Sequence, residues 1–119
     1  MEDINDPNVV KVTVNKAGQA TAFSRSPIPY CRDVPLADWP IHLYNRHIGI
    51  YAYKASVLTE LAASPTSVLE RLEKLEQLRA LWLGFPISML NWLEPIHAGV
   101  DCLDDVNRVR KILNNNVSE

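Results

Sequence analysis

Val68-Leu69-Glu70-Arg71-Leu72-Glu73-Lys74-Leu75-Glu76-Gln77-Leu78-Arg79-Ala80-Leu81-Trp82-Leu83 is the most informative stretch of this sequence. Its periodicity predicts one helix over Val68–Leu83, stopped by Gly84 and Pro86. At about 100° per residue, Leu69, Leu72, Leu75, Leu78 and Trp82 span one broad face. Glu76 falls between Leu69 and Leu72 on that wheel, and Arg79 between Leu72 and Leu75. A carboxylate and a guanidinium thus lie inside the apolar arc. One reading is an i,i+3 ion pair at the arc's edge, its heads reaching water, and spacing alone favours it. The other is a polar pocket, since buried charge persists only when paired or hydrogen-bonded. In that pocket Glu73, Glu76 and Gln77 would offer acceptors for hydroxyl groups and one amide.

Outward from this helix, strand and helix signals alternate. Val9–Val14 is a β-branched run with Lys11 and Thr13 set against the valines. Asn15-Lys16-Ala17-Gly18 has turn chemistry, and Gln19–Phe23 reads as the return strand of a hairpin. Residues 25–45 hold Pro27, Pro29, Pro35 and Pro40, too many for a regular element, and a loop of that length is usually functional or mobile. His47–Tyr53 is the clearest strand signal, with Ile48, Ile50 and Ala52 on one face. A short helix follows over Lys54–Ala63, broken at Pro65. Ile87–Leu93 reads as another strand. Asp101 opens a last helix running to about Asn114, with Asp104 three residues on as in a capping box. The alternation predicts an α/β layer with crossover connections.

Bulk properties bound the function. The 119 residues suffice for one small domain, and the net charge of −2 leaves no basic footprint for nucleic acid. No apolar run approaches the length of a membrane span, and nothing basic and amphipathic points to a membrane surface. The acidic start, MEDINDPN, lacks the regions of a signal peptide. Cys31 and Cys102 fit no metal spacing and read as free thiols in a reducing cytoplasm.

Among the other polar residues, His47 and Tyr51 share one face of the expected strand, about 13 Å apart, so they could line one extended ligand but not grip one atom. A half-buried strand with a satisfied histidine is the commoner meaning. Arg25, just past the hairpin, is an ordinary surface arginine by position, although a guanidinium is the natural clamp for a carboxylate. Asp101 reads first as a helix cap and second as a ligand for a hard cation such as Mg²⁺. No phosphate-binding glycine loop, nucleophile elbow or zinc pattern is present.

Five strings in order carry a resemblance over nearly the whole chain. Asp6-Pro7-Asn8-Val9-Val10-Lys11-Val12, Phe23-Ser24-Arg25-Ser26-Pro27-Ile28-Pro29-Tyr30 and Arg46-His47-Ile48-Gly49-Ile50-Tyr51-Ala52-Tyr53 are three. Leu69 to Arg79, continued by Leu81-Trp82 and Gly84, and Gly99-Val100-Asp101 with Asp105 and Arg108-Val109-Arg110 complete the set. Together they resemble the C-terminal half of the CMP-Kdo synthetases, the 3-deoxy-manno-octulosonate cytidylyltransferases. The resemblance implies an α/β fold, the C-terminal portion of a nucleotide-diphospho-sugar-transferase-like fold, with a β-hairpin plus a mixed sheet and packed helices.

It further implies a reaction of CTP with the acidic sugar Kdo to give CMP-Kdo and pyrophosphate for lipopolysaccharide biosynthesis, in the cytoplasm, with Mg²⁺ and as a homodimer. By motif, Arg25 would face the sugar carboxylate. His47, Tyr51, Glu76 and Gln77 would contact Kdo, with Glu73 a weaker candidate, and Asp101 would be one of two aspartates holding Mg²⁺. Residues 1–119 would form a single partial domain for sugar binding and dimerisation, with the CTP-binding N-terminal half absent and the isolated chain inactive. Ser64-Pro65-Thr66-Ser67-Val68 and Cys102-Leu103 depart from the family's strings, which leaves room for another acidic sugar. A non-catalytic oligomerising or interaction module derived from such an enzyme is the rival from another class.

Overall fold

The computed structural model describes residues 4–93 and 103–116. The hairpin forms as expected, from β1, Lys11–Val14, and β2, Ala20–Ser24, paired antiparallel with Val12 opposite Phe23. Asn15 makes the turn: its Oδ1 accepts from the backbone N–H of Ala17 at 2.9 Å and of Gln19 at 3.0 Å. Gly18 then takes φ +74°, a conformation a side chain would strain. The other edge of β1 pairs with β3, Asn45–Arg46, so the sheet order is β2-β1-β3. All three described strands run antiparallel. The expected mixed sheet with crossover connections is therefore corrected, among the described residues, to a small antiparallel one.

Two expected strands do not form. Over His47–Tyr53, the His47 N–H still reaches the Val10 carbonyl at 2.8 Å, but the Ile50 N–H turns back to Ile48 at 2.8 Å. An alternating β-branched pattern describes fit to a neighbouring strand, and none of the described strands lies beside 48–53. Ile50, on the apolar face of the expected strand, is 86% exposed. Ile87–Leu93 makes only a bridge between Ser88 and Gln19, with Leu90 and Leu93 almost fully exposed.

The first helix, α1, Ala55–Ala63, matches expectation. The long helix does not: it is two, α2, Val68–Glu73, and α3, Gln77–Trp82. Between them Lys74 adopts the left-handed conformation with φ 54°, which is uncommon for a residue with a side chain. No glycine or proline marks this break. Tertiary contacts impose it, overriding good local helix propensity. Ser67 starts α2 with a capping box, its Oγ accepting from the Glu70 N–H at 3.1 Å. The Glu70 carboxylate is then gripped by Arg79, Nε at 2.7 Å and Nη2 at 2.5 Å. On an unbroken helix residues 70 and 79 would lie about half a turn apart, on opposite faces. The kink at Lys74 brings them together. Arg79 thus pairs with Glu70 rather than Glu76, which corrects the i,i+3 pairing expected from spacing. Its Nη1 also donates to the carbonyls of Leu61 and Ser64, tying α1 to the same cluster.

The core lies between the hairpin and α3, where Val12, Ala20 and Phe23 meet Leu75 and Leu78. Of the predicted apolar arc only Leu75 and Leu78 are buried; Leu69, Leu72 and Trp82 are exposed. A second cluster of Ile4, Trp39 and Tyr44 organises the proline-rich loop. There the Trp39 and Tyr44 rings stack at 5.9 Å, and the Tyr44 hydroxyl donates to the Pro29 carbonyl at 2.7 Å. The last helix, α4, spans Leu103–Asn116. The Asp101–Asp104 cap expected at its start cannot be assigned, because Asp101 lies outside the described residues.

The Arg79 hydrogen bond holds the Glu70 carboxyl below its ordinary range, against the opposing effect of burial. A depressed folded value contributes stability above the unfolded value, and loses it as pH falls through the folded one. Glu70→Gln should therefore lower the urea midpoint at pH 7. The variant and the wild-type chain should converge as pH drops below about 4, as denaturation curves at stepped pH will show.

Candidate functional site

A cleft of about 420 Å³ opens between the hairpin's end, the β3 exit and the α2–α3 kink. It is lined by Arg25, His47, Tyr51, Glu76 and Gln77, together with Asn8, Val10, Arg46, Gly49, Lys74 and Leu75. Five of the seven residues expected at a site, from three separate stretches of sequence, thus share one cleft. Each is placed by a fold feature already described. Arg25 follows the last residue of β2, His47 follows β3, and the left-handed Lys74 swings Glu76 and Gln77 toward the opening.

Arg25 is held by backbone carbonyls. Its Nε donates to the Glu73 carbonyl at 2.7 Å and its Nη1 to that of Pro7 at 2.8 Å, with a weak contact from Nη2 to Lys74 at 3.5 Å. A guanidinium has five N–H groups, so two remain for another acceptor. Among the described residues this guanidinium forms no ion pair.

Glu73 is placed differently from the expectation of hydroxyl binding. Its Oε1 accepts from the Ser24 hydroxyl at 2.6 Å and its Oε2 from the Arg25 N–H at 2.9 Å. Those contacts brace the Arg25 backbone, and Glu73 does not line the cleft.

His47 and Tyr51 are also corrected. Because the chain folds back after Ile48, the Tyr51 hydroxyl and His47 Nε2 share a hydrogen bond of 2.7 Å, instead of lying a strand's length apart. Phe23 meets the His47 ring edge-on at 5.0 Å, which fixes the imidazole against the core. Burial lowers the His47 pKa, with the nearby Glu76 carboxylate acting in the opposite direction. Burial likewise raises that of Tyr51, helped by Tyr53 and Glu76. At neutral pH the pair is an uncharged hydrogen-bonding unit, suited to hydroxyl groups.

Gln77 carries the most direct sign of a missing partner. The residue is 3% exposed, and its Nε2 is a buried donor with no hydrogen-bond partner among the described residues. An unmet buried donor costs about 1–3 kcal/mol, so this amide, on a residue that lines the cleft, needs an acceptor that ordered water or a ligand can supply.

Sequence reasoning missed Asn8, Arg46, Gly49 and Lys74. Arg46 and Gly49 flank His47 in one of the quoted strings, so that signal was present; the Lys74 kink left none. A second cleft of about 410 Å³, walled by Pro27, Val34, Leu36 and Trp39, lacks charged side chains. Among the described residues no group of three His, Cys, Asp or Glu side chains gathers to hold a metal ion. Asp101, the expected Mg²⁺ ligand, lies outside them. Among the described residues no helix is long and apolar enough to cross a membrane.

The cleft thus combines the cations of Arg25, Arg46 and Lys74, the Glu76 carboxylate, one orphaned amide and a hydrogen-bonded His–Tyr pair. Comparison with known proteins supplies the class: the cytidylyltransferase family model matches residues 1–89, and the chain belongs to that family. Within it, the chain is a partial homologue of the CMP-Kdo synthetases. It is 55% identical over 115 residues to 3-deoxy-manno-octulosonate cytidylyltransferase 2 of Paraburkholderia phytofirmans, covering 97% of this chain and 44% of that protein. The cytidylyltransferase of Polynucleobacter necessarius is 47% identical, with 93% and 43% covered. A solved CMP:2-keto-3-deoxy-manno-octonic acid synthetase, complexed with CTP, superposes with a TM-score of 0.81 at 36% identity. That match covers 95% of this chain and 44% of the other. The chain thus spans less than half the length of these relatives.

If the Gln77 amide awaits a ligand, Gln77→Met should leave the thermal midpoint unchanged or raise it, since a buried unmet donor is removed at similar volume. The same variant should bind Kdo at least about tenfold more weakly, the worth of one hydrogen bond of ~1.5 kcal/mol. Melting curves and calorimetric titration measure the two effects.

Proposed function

We propose that this chain is the acidic-sugar-binding part of a cytidylyltransferase that joins CTP and Kdo into CMP-Kdo, releasing pyrophosphate, for lipopolysaccharide biosynthesis in the cytoplasm. The observation that carries the reading is the cleft. It gathers a carboxylate clamp, Arg25, with hydroxyl-binding groups, His47, Tyr51, Glu76 and Gln77, in one wall-to-wall space. The names of the relatives supply the sugar, and the CTP bound in the solved homologue supplies the nucleotide.

In this mechanism the sugar's anomeric hydroxyl oxygen forms a bond to the α-phosphorus of CTP while its proton passes to water, and the bond to pyrophosphate breaks. The chain contributes position more than chemistry. Arg25 takes the carboxylate with its two remaining N–H groups, fixing one end of the sugar. Gln77 Nε2 donates to a hydroxyl oxygen, and Glu76 accepts from another. The His47–Tyr51 pair, neutral at pH 7, borders the ring without adding charge. The CTP cradle belongs to residues beyond this chain, and residues 1–119 form a single partial domain beside it. In the longer enzyme Asp101 would be one oxygen ligand of Mg²⁺, whose charge would offset that of the phosphates.

A second reading is an oligomerising module derived from such an enzyme, with a two-fold homodimer as its expected form. It draws on the exposed apolar side chains Ile50, Leu72, Leu90, Trp92 and Leu93, more than a lone small domain normally shows to water.

The two readings part on sugar binding. The chain should bind Kdo in a calorimetric titration yet release no pyrophosphate from CTP, Kdo and Mg²⁺. Arg25→Lys should weaken Kdo binding roughly ten- to a hundredfold, because lysine cannot reproduce a two-pronged grip on a carboxylate. Absence of Kdo binding, with a dimeric mass by light scattering, would favour the module instead.

A further inference from the structure

Lys11 is fully buried, although a lysine ammonium normally keeps to water. Its Nζ donates to the carbonyls of Asp6 at 3.0 Å and Val9 at 2.6 Å, and to that of Arg25. An ammonium has three N–H groups with which to serve such carbonyls. Two acceptors belong to the turn ahead of β1, closed by the Val9 N–H on the Asp6 carbonyl at 3.1 Å. The third is the residue after β2. The same turn presents the Pro7 carbonyl to the Arg25 guanidinium. Arg25 is therefore tied to one turn twice, through its carbonyl by way of Lys11 and through its side chain directly. Asn8, Val10 and Arg25, beside or among these acceptors, line the cleft, whereas Lys11 does not.

We propose that Lys11 is a positioning residue: it fixes Arg25 against the Asp6–Val9 turn so that the free guanidinium N–H groups meet the carboxylate of an acidic sugar. The proposal rests on the sugar-acid reading of the cleft. A filler role would be served by an apolar chain of the same length, with no buried charge to satisfy. An ammonium instead locks three carbonyls from both sides of the hairpin, and one of them belongs to the residue that grips the ligand.

The test uses two probes, Kdo and its carboxamide, which lacks the anionic group. They are titrated against the wild-type chain, Lys11→Met, Lys11→Gln, Arg25→Ala and the Lys11→Met/Arg25→Ala double variant, each checked for folding by thermal melting. The wild-type chain should prefer the acid by at least about tenfold, the worth of ~1.4 kcal/mol. Folded Lys11→Met should lose that preference while keeping its affinity for the carboxamide. It should cost nothing further in the Arg25→Ala background, as expected for two residues acting as one unit. Equal loss of both probes, full retention of the preference, additivity with Arg25→Ala, or failure of both Lys11 variants to fold would each overturn the proposal. Absence of any preference in the wild-type chain would overturn the reading of the cleft itself, and this proposal with it.

Discussion

The Glu70–Arg79 ion pair holds together the part of the structure on which the cleft depends. It joins the start of α2 to the middle of α3 across a kink, and it takes in the end of α1 through two carbonyls. Both side chains are largely withdrawn from solvent, so the pair is worth more than a surface bridge and costly to break singly. Its geometry requires the left-handed turn at Lys74. That turn takes Glu76 and Gln77 off the face an unbroken helix would give them and sets them at the cleft. The second brace is Glu73, whose carboxylate and carbonyl both hold Arg25. One short helix thus carries, at Glu70 and Glu73, the anchors of two walls of the same site.

The division of labour among the acidic residues follows from this. Glu70 and Glu73 are used up by internal donors, and both are structural. Glu76 is exposed at the cleft. Buried polar groups are expected to be satisfied, so the single unmet one, the Gln77 amide nitrogen among the described residues, stands out against a background of paired neighbours. It belongs to a residue that lines one cleft with Arg25, His47 and Tyr51.

Much of the local structure was legible in the sequence. The hairpin could be read from Val9–Val14 and Asn15–Gly18 because strand alternation and turn chemistry are short-range signals. The helix at Ala55–Ala63 and the break at Pro65 were legible for the same reason. Ser67-Val68-Leu69-Glu70 was a legible capping box that the helix-wide reading passed over. What periodicity could not show was the kink at Lys74, because every residue there is a good helix former and the cause lies in Arg79 and Ser24 contacts made in three dimensions. His47–Tyr53 misled in the opposite way: its alternation is real, but a strand also needs a neighbour. Periodicity and side-chain chemistry raised the residues of the cleft only as minority readings, the short strings gave them a shared role, and their convergence could be tested only once the fold was known. The strings ranked Glu73, a brace, below Glu76 and Gln77, which line the cleft, but kept it among the ligand contacts.

The central claim is that the cleft receives an acidic sugar through the Arg25 guanidinium and the orphaned Gln77 amide. Nitrogen-resolved NMR of the labelled chain, titrated with Kdo, observes both groups at once. The account predicts that the Gln77 side-chain amide and the Arg25 Nη–H resonances move together and saturate at one ligand concentration, as a new acceptor reaches each. Kdo binding that leaves both resonances in place, or no binding by a folded chain, would contradict it.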